Sequence, residues 1–254
     1  MKVTILGCSG SLSSPTNPCS GYLISTDDQP SVIMDLGPGT LGRLQTHQNP
    51  SDAHVIFSHL HADHCLDFPS LLVWRRFHPT DKAAEVNGLR APGYAPEHLG
   101  LLSSDNPGVP DDLTDTFSFA AWADREPQVL SGLNITPFAV EHPVETYGLR
   151  VEDPATGKII AYSADTGLCD NVVDLARDVD VFFCEAGWGP SANHFAPAMH
   201  LSGPEAGRYA REAGAKKLVL VHIPPWASAE GTLAAAKEEF DNVELGYPGM
   251  VVEP

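Results

Sequence analysis

Short apolar runs, each closed by glycine, proline or a polar cluster, punctuate the chain and predict buried strands. Residues 3–7 form the first. Gly21 to Ser25 and Ser31 to Met34 pair around the turn Asp27-Asp28-Gln29-Pro30, and Asp35-Leu36-Gly37-Pro38-Gly39 closes the second of them. His54-Val55-Ile56-Phe57, Leu133 to Val140, Tyr147 to Val151, Lys158 to Ser163, Val179 to Cys184 and Lys216 to Val221 continue the series. Val243 to Leu245 and Met250 to Val252 end it. Helices are expected over Pro38 to Gln48, Leu66 to Phe77, Cys169 to Asp178, Pro204 to Ala213 and Ala229 to Phe240. Ser202, with Glu205 three residues on, forms a capping box for the fourth. Residues 79–131 scatter prolines, glycines and acids, and only a short strand (Val86 to Ala91) and a short helix (Pro96 to Ser103) are legible there. That segment is expected as an insertion covering the site, within one domain spanning residues 1–254. The mixture predicts an α/β protein, with two β-rich halves that suit two sheets flanked by helices.

Composition narrows the picture. A hydrophobic content of 43% supports a globular chain, and no run approaches the ~20 apolar residues of a spanning helix. The N-terminus enters a strand at once, without a leader pattern. Five cysteines, odd in number and without a C-x-x-C pair, suggest reduced thiols, so a cytoplasmic protein is expected. The net charge of −18 weighs against a nucleic-acid partner, because neutralising phosphates needs basic surface. It leaves room for a small phosphate-bearing substrate, since bound divalent metals make a pocket locally positive.

The candidate chemistry sits after the His54–Phe57 run, where residues 58–64 read S-H-L-H-A-D-H. His59 and His61, two apart, project from one side of an extended segment. A tight turn then lets Asp63 and His64 reach a second point nearby. The stretch thus offers two ligand pairs whose nitrogen and oxygen donors suit Zn(II), Mn(II) or Fe(II) without selecting sharply among them. Cys65 follows where a helix begins and is not expected to be a ligand.

This stretch resembles the H-x-H-x-D-H signature of the metallo-β-lactamase fold, a superfamily of mostly dinuclear metallohydrolases. The resemblance implies an αββα four-layer sandwich of two mixed sheets flanked by helices. It also implies further ligands at strand ends, and His142, Asp165 and His222 match them. His59, His61 and His142 would then hold one divalent metal, and Asp63, His64 and His222 the other. Asp165 and a water or hydroxide would bridge them. In the ribonuclease Z-like branch an E-A motif and a later His-Leu/Ser-Ser/Thr motif supply an acid–His pair; here Cys184-Glu185-Ala186 and His200-Leu201-Ser202 look like them. A His oriented by a carboxylate can protonate a departing alkoxide, which favours phosphodiester cleavage. Asp63, Glu185 and His200 are therefore the catalytic candidates.

The chain departs from the branch's H-E-A-T stretch at Cys184 and lacks its basic substrate arm. Over nearly its full length it is similar instead to short actinobacterial proteins, atypical class II cyclic-AMP phosphodiesterases. The motifs include I-L-G-C-S-G, V-W-R-R-F-H-P, H-P-V-E-T-Y-G-L-R, Y-S-A-D-T-G, H-L-S-G-P-E-A-G and H-I-P-P-W. That likeness implies hydrolysis of 3′,5′-cyclic AMP to 5′-AMP with two divalent ions, Zn(II) foremost, and family analogy implies a homodimer. Substrate contacts are sought at Ser9 in the small-residue loop, at Arg75 beside Arg76, and at Trp188, Trp226 or Phe195 for the base. A tRNA 3′-processing nuclease, a thioester or lactone hydrolase, and a non-catalytic nucleotide sensor are the competing readings.

Overall fold

The computed structural model describes the chain except residues 194, 195 and 197. Its elements are β1 (Lys2–Gly7), β2 (Gly21–Ser25), β3 (Ser31–Leu36), α1 (Thr40–Leu44), β4 (Ala53–Ile56), α2 (Ala62–Cys65) and α3 (Phe68–Phe77). There follow β5 (Asn87–Ala91), α4 (Ala95–Ser103), β6 (Phe117–Ala121), β7 (Gln128–Leu130), β8 (Leu133–Ala139), β9 (Tyr147–Asp153) and β10 (Lys158–Tyr162). The remainder is α5 (Asn171–Leu175), β11 (Val181–Glu185), α6 (Gly203–Ala213), β12 (Leu218–Val221), α7 (Ala229–Lys237), β13 (Val243–Leu245) and β14 (Val251–Val252).

Two seven-stranded sheets result, ordered β14-β1-β2-β3-β4-β5-β6 and β13-β12-β11-β10-β9-β8-β7. Each is mixed. Strands β14 through β3 pair antiparallel and β3 through β6 parallel. In the other sheet β7 through β10 pair antiparallel and β10 through β13 parallel.

Alternation along the strands sets the layers. Tyr22 and Ile24 of β2, with Val32 and Met34 of β3, enter one core together with Ile135, Leu149, Val151, Ile160, Tyr162, Phe183 and Val219 of the second sheet. Their neighbours Leu23, Ile33 and Leu36 face the other way, onto a core shared with α1, α3 and α4. Phe182, Cys184, Leu218 and Leu220 likewise face α5, α6 and α7. Because helices cover both outer faces, central strands such as β3 are apolar at successive positions and not merely at alternate ones. The expected four layers are thus present.

Several expected elements are shorter or broken. The helix over 38–48 reduces to α1, which starts after Gly39 with φ 91°. The helix over 169–178 reduces to α5. The helix over 66–77 starts two residues late as α3, after Asp67, whose carboxylate accepts the Leu41 amide at 2.8 Å, and the separate turn α2 precedes it. Residues 79–131 were expected as an insertion. Instead they supply β5 and β6 at the edge of the first sheet, α4 packed on α3, and β7 at the edge of the second. Among the described residues no helix is long and apolar enough to cross a membrane.

Candidate metal centre

The site lies past the carboxyl ends of β3, β4, β8, β10, β11 and β12, where parallel strands of α/β sheets leave room for a ligand. Asp35, at the end of β3, organises much of it. Its backbone is left-handed (φ 57°) and its carboxylate is fully buried. It accepts the Ser58 amide and the Ser58 hydroxyl, each at 2.8 Å. Oδ2 also meets His64 Nδ1 at 2.8 Å and takes the Tyr162 hydroxyl at 3.0 Å. Ser58 Oγ lies 3.1 Å from His59 Nδ1. With their Nδ1 atoms engaged, His59 and His64 are left with Nε2 turned inward.

All seven residues sought as ligands come together. His59, His61, His142 and Asp165 offer donor atoms within 4.8 Å of one another, and so do Asp63, His64, Asp165 and His222. Asp165 belongs to both groups. Within the first, His61 Nδ1 and His142 Nε2 are 3.1 Å apart, and His59 Nε2 is 3.8 Å from Asp165 Oδ2. Within the second, His222 Nε2 is 3.0 Å from Asp63 Oδ2 and 3.3 Å from Asp165 Oδ2. Asp63 and His64 are carried by the single turn of α2, which is how adjacent residues serve one point.

These donors fit metal cations. Among the described residues His59 Nε2, His64 Nε2 and Asp165 Oδ1 are buried without a hydrogen-bond partner. Each such orphan costs about 1–3 kcal/mol; His64 Nε2 and Asp165 Oδ1 lie 3.2 Å apart, and cations held by the two donor groups would satisfy all three. The charges of the chain itself are informative. Burial, reinforced by neighbouring imidazoles, lowers the pKa of His59 well below the usual histidine value, and burial brings His142 down to about 4. Neutral imidazole is the form that binds metal. Burial opposes charge on Asp63 and Asp165, yet the imidazoles of His64 and His222 outweigh it and hold both carboxyls far below their ordinary range.

Glu185 and His200 stand beside this centre. Glu185 is fully buried, and its Oε1 accepts the Thr166 amide at 2.8 Å while Oε2 accepts the Gly187 amide at 2.7 Å. Oε1 also meets His200 Nδ1 at 3.0 Å, and that nitrogen is 3.9 Å from Asp165 Oδ2. Burial disfavours an imidazolium here, but the Glu185 charge and hydrogen bond prevail and raise His200 to about 9. The expected capping box of Ser202 and Glu205 is formed and fixes the chain just after His200.

The sought substrate contacts fare less well. Arg75 is corrected: its guanidinium is buried, donates to the carbonyls of Pro50 and Ala53, and lies over the Phe117 ring at 4.6 Å. It is a core residue, because α3 turns it under the sheet. Arg76 pairs with Asp111 and Asp115. Ser9 is buried and spends its hydroxyl on the Leu12 carbonyl at 2.7 Å. Trp188 meets the His200 ring edge-on at 5.2 Å, whereas Trp226 is 69% exposed, four residues after His222. Phe195 lies outside the described residues.

Asp35, Tyr162 and Ser11 were not singled out from sequence. Ser11 donates its amide to Asp63 Oδ2 at 2.8 Å. Asp35 carried a signal, an acid ending an apolar strand before Gly-Pro-Gly, much as Asp165 ends one before Thr-Gly.

Fold and donor set together define a metal-dependent hydrolase of the metallo-β-lactamase type. The family model described as "Beta-lactamase superfamily domain" matches residues 31–223, and the chain belongs to that family. "Uncharacterized protein Rv1339" of Mycobacterium tuberculosis is 50% identical over 95% of this chain and 87% of its own length. "Probable metallo-hydrolase YhfI" of Bacillus subtilis is 28% identical over the full length of both. The YhfI crystal structure superposes with a TM-score of 0.86, covering 100% of this chain and 98% of that one, at 25% identity. "Ribonuclease BN" of Cronobacter sakazakii is 27% identical over 91% of each chain.

Proposed function

We propose that the protein is a dinuclear metal-dependent phosphodiesterase that hydrolyses 3′,5′-cyclic AMP to 5′-AMP. The observation that carries this reading is the Glu185–His200 pair set 3.9 Å from Asp165, the carboxylate common to both donor groups. His59, His61 and His142 would hold one cation and Asp63, His64 and His222 the other, with Zn(II) foremost and Mn(II) or Fe(II) as substitutes. Bound there, divalent cations supply Lewis acidity at phosphate and lower the pKa of water.

The side chains do the rest. Asp63, pinned by the Ser11 amide and by His222, orients the attacking water. Attack at phosphorus breaks the bond to the ribose 3′-oxygen. Glu185 holds the His200 Nδ1 proton, so the imidazolium gives up its other proton, at Nε2, to that departing oxygen. An alkoxide needs this proton far more than a thiolate does, which is why the pair argues for a phosphodiester over a thioester. The acidic chain suits a small monoanion better than a long RNA. Trp188, in ring contact with His200, would be the aromatic that meets the base.

Likeness to a ribonuclease keeps one second reading, cleavage of a tRNA 3′ end. A single panel separates them: cyclic AMP, cyclic GMP, bis(p-nitrophenyl) phosphate and a precursor tRNA, each with Zn(II) or Mn(II). Turnover of cyclic AMP by wild type, lost in Asp63→Ala and His200→Ala, is expected. Cleavage of the tRNA with cyclic nucleotides untouched would overturn the reading. The five cysteines are all free, in keeping with a reducing cytoplasm. The homodimer implied by family analogy is tested by light scattering of the metal-loaded protein.

A further inference from the structure

The residue two beyond Glu185 is glycine, and the space a side chain would need there is taken by His200. A Cβ on Gly187 would stand 2.8 Å from His200 Cγ and 3.0 Å from its Cβ and Nδ1. Those atoms are the root of the imidazole, not the end of a flexible chain, so they cannot swing aside cheaply. The His200 backbone cannot retreat either. Trp188 donates its amide to the neighbouring Leu201 carbonyl at 2.9 Å, and the capping box holds Ser202. On another side the Trp188 ring closes edge-on at 5.2 Å. Gly187 is not at positive φ, so it lies outside the left-handed region that by itself calls for glycine. The need for glycine therefore comes from the imidazole, not from the turn.

We propose that Gly187 is the positioning residue of the Glu185–His200 pair. It acts twice on the same contact. Its amide fixes Glu185 Oε2, and its missing side chain lets the imidazole lie against the backbone, where Nδ1 reaches Oε1. Any side chain at 187 pushes the ring off the carboxylate while leaving the seven donor residues in place. This rests on the reading of His200 as the proton donor, and the effect should follow the leaving group. A poor alkoxide depends on the donor, and a nitrophenolate does not.

The test compares Gly187→Ala, His200→Ala and the double variant on cyclic AMP and on bis(p-nitrophenyl) phosphate. Metal content is measured by inductively coupled plasma mass spectrometry. Gly187→Ala is expected to lose about 10²–10³-fold in kcat on cyclic AMP and under about tenfold on the nitrophenyl ester, with two metals retained. The double variant should be no worse than His200→Ala, because both act on one contact. A leaving-group split in His200→Ala but not in Gly187→Ala overturns the role of Gly187. No split in His200→Ala overturns the proton-donor reading instead. Losses in Gly187→Ala that are equal on both esters, or come with loss of metal, also refute it. Independently of turnover, the hydrogen-bonded Nδ1 proton resonance, assigned by its disappearance in His200→Ala, should vanish in Gly187→Ala. Its persistence there would refute the proposal.

Discussion

The two donor groups share Asp165 but are held in different ways. In the first, His61 and His142 are partly exposed, and only His59 is fully buried. In the second, Asp63, His64 and His222 are all buried and bonded in series, His64 to Asp35, Asp63 to the Ser11 amide and His222 to Asp63. In the first, by contrast, His59 and His142 are each hydrogen-bonded, among the described residues, to a single group outside the donor set, Ser58 and the Met199 carbonyl. One group is an open ring of neutral imidazoles. The other is a closed network in which, against burial, Asp63 is held far below the ordinary carboxylate range by the neighbouring His64 and His222, and the carboxylates around His64 raise its pKa. A centre built this way can present one side to a substrate while the other side keeps the geometry fixed.

The comparison breaks most visibly at the shared residue. On the dinuclear reading proposed above, Asp165→Ala should abolish metal binding in both groups, taking two equivalents to none. A retained equivalent would mean that the groups do not depend on a common carboxylate. Next in size is Asp35→Asn, which meets His64 of the closed group directly and His59 of the open group only through Ser58. Removing a hydrogen-bonding partner behind a ligand typically costs 10–100-fold in metal affinity. Chelator competition should show that loss for one equivalent and little change for the other; equal loss in both would erase the distinction drawn above. Smaller again is the effect on the metal-free fold. His64→Ala strips Asp35 of a charged partner and should cost about 2 kcal/mol in urea unfolding. His61→Ala, at a partly exposed position, should stay within about 0.5 kcal/mol.

Sequence reading reached the open and closed groups unequally. His59, His61, Asp63 and His64 are local, and strand geometry alone assigns them to two points. His142, Asp165 and His222 needed the family resemblance, because nothing in their spacing says that β8, β10 and β12 end on the same side. Asp35 was missed although it ends an apolar strand, because its partners Ser58 and His64 meet it only once β3 and β4 pair, and Tyr162 was missed because its contact with Asp35 crosses the two sheets. The fold class was legible because β2, β3 and β10 are short apolar runs closed by polar or glycine-rich turns. Edge strands β6 and β7 were not, as a free edge leaves them without the continuous apolar pattern of a central strand: Val129 of β7 is 70% exposed. Arg75 misled because a cation buried under the sheet, with one nitrogen on backbone carbonyls, reads in sequence like one awaiting a phosphate.

The smallest effect on metal binding supplies the control that the comparison needs, a well-bonded carboxylate with no place in the centre. Asp180 precedes β11 and accepts the Ile159 amide at 2.9 Å and Lys216 Nζ at 2.8 Å, with Lys158 Nζ at 3.5 Å. Burial works against its charge, but the Lys216 hydrogen bond, the Ile159 amide and the Lys158 charge outweigh it, so its pKa is lowered. A carboxyl depressed on folding contributes stability above its unfolded pKa of about 3.9 and loses it as pH falls through the folded value. Asp180→Asn should therefore cost under about 1 kcal/mol at pH 7, since both lysines are largely solvated. The gap from wild type should stay flat down to about pH 5 and close on further acidification. Acid titration of the site carboxylates, present in both proteins, cancels in that difference. Two metals should remain bound at full affinity. A loss of metal in Asp180→Asn would show that any well-bonded carboxylate in this fold supports the centre, and the special standing given to Asp35 would fall with it.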